Sequence, residues 1–451
     1  MFGRILIANR GEIAVRVIRA CRELGIETVA VYSTADRESL HVRLADRAVC
    51  VGPPSPAESY LNIPSLIGAA ETTRCEAVHP GYGFLAENAS FARACEENDL
   101  VFIGPRPDSI ELMGDKARAR TTMEAAGVPI VPGSSGHAGL EEMRRAAAEM
   151  GYPLLLKAAA GGGGRGMRLV TDPEDLEDAY HSASAEAQAA FSDGSLYVEK
   201  AMQLVHHVEI QVLCDGQGGV LTLGERDCSI QRRHQKLVEE SPSPAVSPGM
   251  RGAMEEAARR ACETIRYRGA GTIEFLARGE SFWFIEMNTR LQVEHPVTEL
   301  VTGIDLVRGQ IAVAAGHGLP ATGKAEPRGH AIEVRVNAED PARGFLPSPG
   351  RITRFRPPLG PGIRVDTHVY EGYEVPPYYD SLLAKVIAWD DTRRHALSRA
   401  VRALSEFELE GVATTRGLAI EILESEDFQV GSYTTAYLHE AAGRFAALAT
   451  P

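Results

Sequence analysis

The chain lacks any apolar run approaching the ~18 residues that a membrane helix needs. Its amino terminus carries one arginine and a single short apolar stretch, Ile5-Leu6-Ile7-Ala8, too short for a signal peptide. A basic excess is also missing. The formal charge is −14, which argues against nucleic acid as a main partner, because a phosphate-backbone binder needs a net basic face. The seven cysteines are odd in number and form no C-x-x-C pair, which disfavours a disulfide framework or zinc site and fits reduced thiols. Internal repeats and low-complexity tracts are absent too. What is left is a soluble, cytoplasmic globular protein with no expected membrane or nucleic-acid partner. At 451 residues, 44% hydrophobic and 24% charged, it has ample core and length for about three domains.

The first ~110 residues alternate strand and helix patterns, as in a parallel α/β sheet. Strands are expected at residues 5–8, 28–32, 77–78 and 101–103, with a helix over 12–24 closed by Gly25. The first strand-to-helix turn, Asn9-Arg10-Gly11-Glu12, has one glycine and lacks G-x-G-x-x-G. It predicts a doubly wound domain put to a use other than dinucleotide binding. A second domain begins at Gly114-Asp115-Lys116, with Asp115 as N-cap, a helix over 117–126 and Gly127 as its stop. Lys116 and Arg118 fall in its first turn, where the helix dipole disfavours cations; a nearby bound anion and a plain solvated face both remain open. The loop 131–136 is expected to hinge a smaller lid running to about 203, and 319–328 reads as a linker. A strand over 330–337, another over 385–389 and a helix over 390–407 follow. The domains are therefore placed at 1–114, 115–328 (lid about 132–203) and 329–446.

Five polar side chains recur at every second position: Glu286, Asn288, Arg290, Gln292 and Glu294. In an extended chain they share one face. Upstream, residues 271–277 form another strand candidate. With 279–281 as the loop, Glu274 lies opposite Glu286. Two like charges so placed repel by about 3 kcal/mol at roughly 5 Å and an effective dielectric near 20. A divalent cation turns that cost into a binding site, and two carboxylates with an amide suit Mg²⁺ or Mn²⁺. Such an ion completes its shell with water and substrate phosphates, so the hairpin predicts a nucleotide site.

Near it stands a glycine loop, Gly161-Gly162-Gly163-Gly164, preceded by Lys157 and flanked by strand candidates. It is not a Walker A loop. Glycines let backbone N–H groups approach phosphate and permit closure, so a mobile phosphate lid is favoured over a flexible linker. The run from Asp227 to Lys236 gathers basic residues in an acidic protein, either a solvated face or an anion site. His206 and His207 are adjacent on a strand and point to opposite faces, which argues against joint metal ligation.

Long strings in this chain resemble the biotin carboxylase family of the ATP-grasp superfamily. They include Ile7-Ala8-Asn9-Arg10-Gly11-Glu12, His79-Pro80-Gly81-Tyr82-Gly83-Phe84, Glu225 through Lys236, Met287 through Glu299, Phe345-Leu346-Pro347-Ser348-Pro349-Gly350 and Pro377-Tyr378-Tyr379-Asp380-Ser381. The resemblance implies a three-domain α/β and α+β architecture, with a doubly wound parallel sheet, a central ATP-grasp domain and a C-terminal mixed α+β domain. It implies that Lys116, Lys157, the four glycines, Met167, Glu199, Lys200, Met202, His207, Gln231 and His234 hold ATP. Glu274, Glu286 and Asn288 would hold Mg²⁺ (or Mn²⁺). Lys236, Arg290, Gln292 and Val293 would bind bicarbonate, with Glu294 as base. Arg335 and Tyr82 would face biotin. The family commonly has a further glycine at the position of Ala160, and Pro-Arg-His where this chain has Val205-His206-His207. The implied activity is ATP-dependent carboxylation of biotin with bicarbonate, as the first half-reaction of acetyl-CoA carboxylase in fatty acid synthesis. The rivals are the same step for propionyl-CoA or two-subunit pyruvate carboxylase, another ATP-grasp ligase, and a catalytically silent nucleotide-binding regulator. No biotinylation sequence or transferase is seen, so a separate biotin carboxyl carrier protein and carboxyltransferase subunits are the expected partners, with a homodimer implied by resemblance.

Overall fold

The computed structural model describes residues 1–134, 138–159 and 166–445. Gly161, Gly162, Gly163 and Gly164, together with Ala160 and Arg165, lie outside the described residues.

The short apolar run near the amino terminus is the strand Arg4–Ile7, with Ile5, Leu6 and Ile7 wholly buried. Strands covered on both faces are apolar at every position. This one sits at the centre of a five-stranded parallel sheet. The order is Arg47–Gly52, Glu27–Ser33, Arg4–Ile7, Ala77–His79 and Val101–Phe102. The order reverses between Arg4–Ile7 and Ala77–His79, and a crevice at that switch point is where doubly wound sheets bind ligands. Asn9 closes it from one side by donating to the carbonyls of Pro80 (2.7 Å) and Tyr82 (2.8 Å). Gly81, at φ +64°, lies so close that a Cβ there would sit 2.9 Å from Ile13 and 3.0 Å from Asn9.

A second, larger sheet carries most of the polar alternation. Its path runs Ser281–Asn288, Arg268–Arg278, His206–Asp215, Val220–Arg232, Gln235–Ser241, His330–Asn337, Leu382–Asp390 and Ile363–Thr367. Hydrogen bonding is continuous across residue 328, since Gln235–Ser241 pairs with His330–Asn337. The stretch read as a linker is not wholly irregular: Gly323–Lys324 adds a ninth strand, beside Val220–Arg232. A third, three-stranded sheet, Arg168–Val170, Leu154–Ala158 and Leu196–Lys200, packs with helices Leu140–Met150 and Leu176–Phe191 around its own small core.

Two expectations about the key hairpin need correction. Arg278 pairs with Ser281, so the loop is the two residues Gly279-Glu280 rather than three. Gly279, at φ +58°, supplies the left-handed first position that a tight hairpin turn favours. A bulge then adds one residue between the pairs Phe275–Phe284 and Glu274–Glu286. The two acids therefore do face each other, by a different route. The strand also ends at Asn288, so Arg290, Gln292 and Glu294 leave an irregular segment and not one extended ribbon.

The strand Arg268–Arg278 has partners on both sides and tolerates little extra volume. A Cβ at Gly271 would lie 2.7 to 2.9 Å from the ring of Tyr267, which is wholly enclosed and donates to the Ala270 carbonyl at 3.0 Å. Gly271→Ala is expected to cost about 1–3 kcal/mol by overpacking, read as a lower urea midpoint at unchanged slope; a wild-type midpoint would contradict this packing.

Candidate active site

The three sheets meet around a cavity of about 1480 Å³. Asn9, Tyr82 and Glu87 line it from the first sheet, Lys157 and Glu199 from the small sheet, and Arg335 from the far side of the large one. The alternation that placed polar residues on one strand face places them on this cavity.

At its floor is Lys236. It lies two residues past the Arg233-His234 turn, where both residues take left-handed φ (48° and 66°) and Arg232 pairs with Gln235. The ammonium approaches Glu294 at 2.5 Å, Glu209 at 2.7 Å, Gln292 at 2.9 Å and Glu274 at 3.1 Å. Burial alone would drive off its proton. The carboxylates of Glu209, Glu274 and Glu294 override burial and raise its pKa well above the usual lysine value. Cys228 itself stays a thiol, because burial pushes it far up. Glu209 is shared with Arg226, at 2.6 Å; both side chains are fully enclosed. Arg226 also donates to Gln211, Thr298 and Thr272.

Glu294 is the N-cap residue of the helix His295–Thr302 but makes no capping bond with its side chain. One oxygen meets Lys236 and the other accepts from Arg335 at 2.8 Å. Burial favours its neutral form, yet Lys236, Arg335 and Arg226 hold it ionised, well below the ordinary carboxyl range. Arg335 also donates to Glu239 at 2.6 Å; burial pushes the Glu239 carboxyl up to about 7 despite that arginine. Arg290 is aimed by Glu87 (2.8 Å) and the Asn288 oxygen (3.0 Å).

The paired acids are held separately. Glu274 accepts from Asn288 at 2.7 Å and Gln292 at 2.9 Å, and meets His207 at 2.9 Å. Glu286 accepts from Lys116 at 2.7 Å, and Lys116 lowers its pKa. Glu274, Glu286 and Asn288 thus bring oxygen donors to one wall in register, a set that suits a hard divalent ion. Two other convergent groups, His207–Glu209–Glu274 and Glu209–Cys228–Glu294, suit one less well. One includes a histidine nitrogen and the other a cysteine sulfur, donors that suit a softer ion.

Further out, Lys157 meets Glu199 at 2.5 Å, and Glu199 also pairs with Arg120 at 2.9 Å. Met167, Met202, Gln231 and His234 line the same cavity, as does Val293. Lys200 lines the cavity as well. Its ammonium donates to the carbonyls of Met150, Gly151 and Tyr152, at 2.9 to 3.3 Å, closing the end of a helix. The basic run divides as well. His234 and Lys236 face the cavity, whereas Arg232 stacks over Phe345 at 4.1 Å. The two adjacent histidines part as strand geometry requires, His206 going to Asp227 and His207 to Glu274. Sequence reasoning missed Glu209, Arg226, Glu87 and Glu239 as members of this network. Glu209 stands two residues from His207 on one strand face, a signal that was available.

Burial disfavours the His207 proton, but Glu274 outweighs it and raises the pKa above the ordinary 6.5. A raised histidine pKa adds stability that is full below the unfolded value and is lost as pH climbs through the folded one. The stability gap between the protein and His207→Gln should therefore be widest below about pH 6.5 and narrow toward alkaline pH. A pH-independent gap in urea unfolding would contradict the pair.

Comparison with known proteins agrees with this geometry. Residues 1–110 match the family model of the biotin carboxylase N-terminal domain. Residues 115–322 match the carbamoyl-phosphate synthase L chain ATP-binding domain, and 333–440 the biotin carboxylase C-terminal domain. A biotin carboxylase from a Nostoc species is 54% identical over 442 residues, 97% of this chain and 99% of that protein. A pyruvate carboxylase subunit of Methanothermobacter thermautotrophicus is 50% identical, over 98% of this chain and 90% of that one. Among solved structures, the biotin carboxylase domain dimer of Hydrogenobacter thermophilus 2-oxoglutarate carboxylase, bound to MgADP, ADP and bicarbonate, superposes with a TM-score of 0.95. It shares 50% identity and is covered over 99% of both chains. With matches spanning nearly its whole length at such identity, this chain belongs to the biotin carboxylase family of ATP-grasp ligases.

Proposed function

We propose that this protein carboxylates biotin on a separate carrier protein, using ATP and bicarbonate, and that it serves an acetyl-CoA carboxylase. The observation that carries the chemistry is the Glu294 carboxylate, bridged between Lys236 at 2.5 Å and Arg335 at 2.8 Å. A base that must work beside an anionic substrate is kept charged by cations on two sides. One of those cations belongs to each half of the reaction.

Lys116, Lys157, Met167, Glu199, Lys200, Met202, His207, Gln231 and His234 hold ATP, and the glycine loop is assigned to its phosphates. Glu274, Glu286 and Asn288 would hold Mg²⁺ (or Mn²⁺), which when bound offsets charge on the nucleotide's phosphates. Lys236, Arg290, Gln292 and the backbone of Val293 bind bicarbonate. Glu294 takes its proton, and a bicarbonate oxygen attacks the γ-phosphoryl group in line as ADP leaves. The resulting carboxyphosphate breaks its bridging C–O bond to give CO₂ and phosphate. That phosphate takes the proton from the biotin ureido nitrogen, which then bonds to CO₂. Arg335 offsets the charge that grows on the ureido oxygen, with Tyr82 beside the ring. The protein acts as a homodimer in the cytoplasm, and carboxyltransferase subunits use its product.

A second reading changes only the acceptor. The 50% identities to a 2-oxoglutarate carboxylase domain and to a pyruvate carboxylase subunit favour testing the carboxylated carrier against transferases for acetyl-CoA, propionyl-CoA and 2-oxo acids.

Two variants separate the half-reactions. Glu294→Gln should abolish bicarbonate-dependent ATP cleavage, by about 100-fold or more, while nucleotide binding persists. Arg335→Ala should depress biotin carboxylation more than bicarbonate-dependent phosphate release. Wild-type turnover in the first, or equal losses in the second, would refute these assignments.

A further inference from the structure

In the strand Leu382–Asp390, Lys385 is the one charge before the terminal Asp390; it lies between Ala384 and Val386, and its side chain is wholly enclosed. Lysine is almost never found so placed unless paired. Its ammonium lies 3.2 Å from Glu12 Oε2 and 3.8 Å from Asp366 Oδ2, and these two carboxylates answer the charge. Its shortest contact is to something else: it donates at 2.9 Å to the backbone carbonyl of Val293. Charge balance does not call for that bond.

Val293 lies in the irregular segment between the strand ending at Asn288 and the helix starting at His295. No sheet ladder fixes its peptide groups. The carbonyl that Lys385 holds belongs to the peptide joining Val293 to Glu294. Lys385 and Arg335 are opposite partners in adjacent antiparallel strands, so both side chains leave the same face of the sheet. Arg335 reaches the Glu294 carboxylate and Lys385 reaches the backbone behind it. The Glu12 oxygen that faces Lys385 also accepts from the Tyr82 hydroxyl at 2.5 Å, so a single ammonium links the bicarbonate loop to the ring at the switch-point crevice.

We propose that Lys385 is a positioning residue: by holding the Val293 carbonyl it sets the loop that presents Val293 and Glu294 to bicarbonate, and through Glu12 it fixes Tyr82 relative to that loop. The inference rests on the bicarbonate-side roles of Val293 and Glu294 proposed above.

Lys385→Met alone would leave Glu12 enclosed and short of a cation. The informative variant is therefore Lys385→Met with Glu12→Gln, which removes one charge of each sign and leaves Tyr82 an acceptor. The double variant should unfold in urea near the wild-type midpoint. Its KM for bicarbonate should rise about tenfold or more, with KM for ATP within about twofold of wild type. A wild-type KM for bicarbonate would overturn the proposal, leaving Lys385 as a structural counter-charge. If the double variant does not fold, Lys385→Arg keeps the charge between Glu12 and Asp366 while displacing the donor. The same rise in KM is expected there, and its absence is equally fatal. Glu294→Gln run in parallel tells the two failures apart. Retained bicarbonate-dependent turnover there sinks the underlying assignment, whereas loss there with an unchanged double variant sinks only the positioning role.

Discussion

One largely enclosed ammonium organises this site. Lys236 sits among Glu209, Glu274, Gln292 and Glu294 at 2.5 to 3.1 Å, and these residues come from two strands and an irregular segment. Taking several carboxylates out of water together is very costly without a counter-charge. With Lys236 present Glu274 and Glu294 stay ionised, both with pKa values well below the ordinary range, whereas burial pushes the Glu209 carboxyl up despite Arg226 and Lys236. Arg226 beneath and Arg335 alongside complete the balance. The cation thus gathers the groups and selects their charge state, which is what a site for an anionic substrate requires.

The wall of paired acids depends on backbone geometry in the same way. Glu274 and Glu286 face each other because a two-residue turn and a one-residue bulge combine to give the register that a simple three-residue loop would have given. Each acid meets a different cation, Lys236 or Lys116. Repulsion is thereby relieved, and oxygen ligands remain on one wall. Asn288 bridges the two functions, donating to Glu274 and accepting from Arg290.

Much of this was legible in the sequence, for reasons that differ from residue to residue. Strands buried on both faces show as apolar runs, such as Ile5 to Ile7 in the strand Arg4–Ile7, and His330–Asn337 was bounded by its alternation. The pairing of Glu274 with Glu286 followed from strand period and a short turn. The bulge at that pair carried no sequence signal, because it is set by how neighbouring strands pack. The continuation of alternate polar residues past Asn288 was misleading in mechanism: they converge because a loop folds over Lys236, and not because a strand extends. Lys200 lines the cavity while its ammonium is engaged by carbonyls at a helix end, contacts that only the folded chain reveals. The partners of Lys385 and Arg226 were invisible, since a buried charge within a strand declares what it pairs with only in three dimensions.

The most direct test of the central role of Lys236 is phosphate release by Lys236→Gln, measured with and without bicarbonate at saturating magnesium nucleotide. The account predicts that nucleotide still binds, through Lys116, Lys157 and the paired acids, while stimulation by bicarbonate disappears. Undiminished stimulation by bicarbonate in that variant would contradict it.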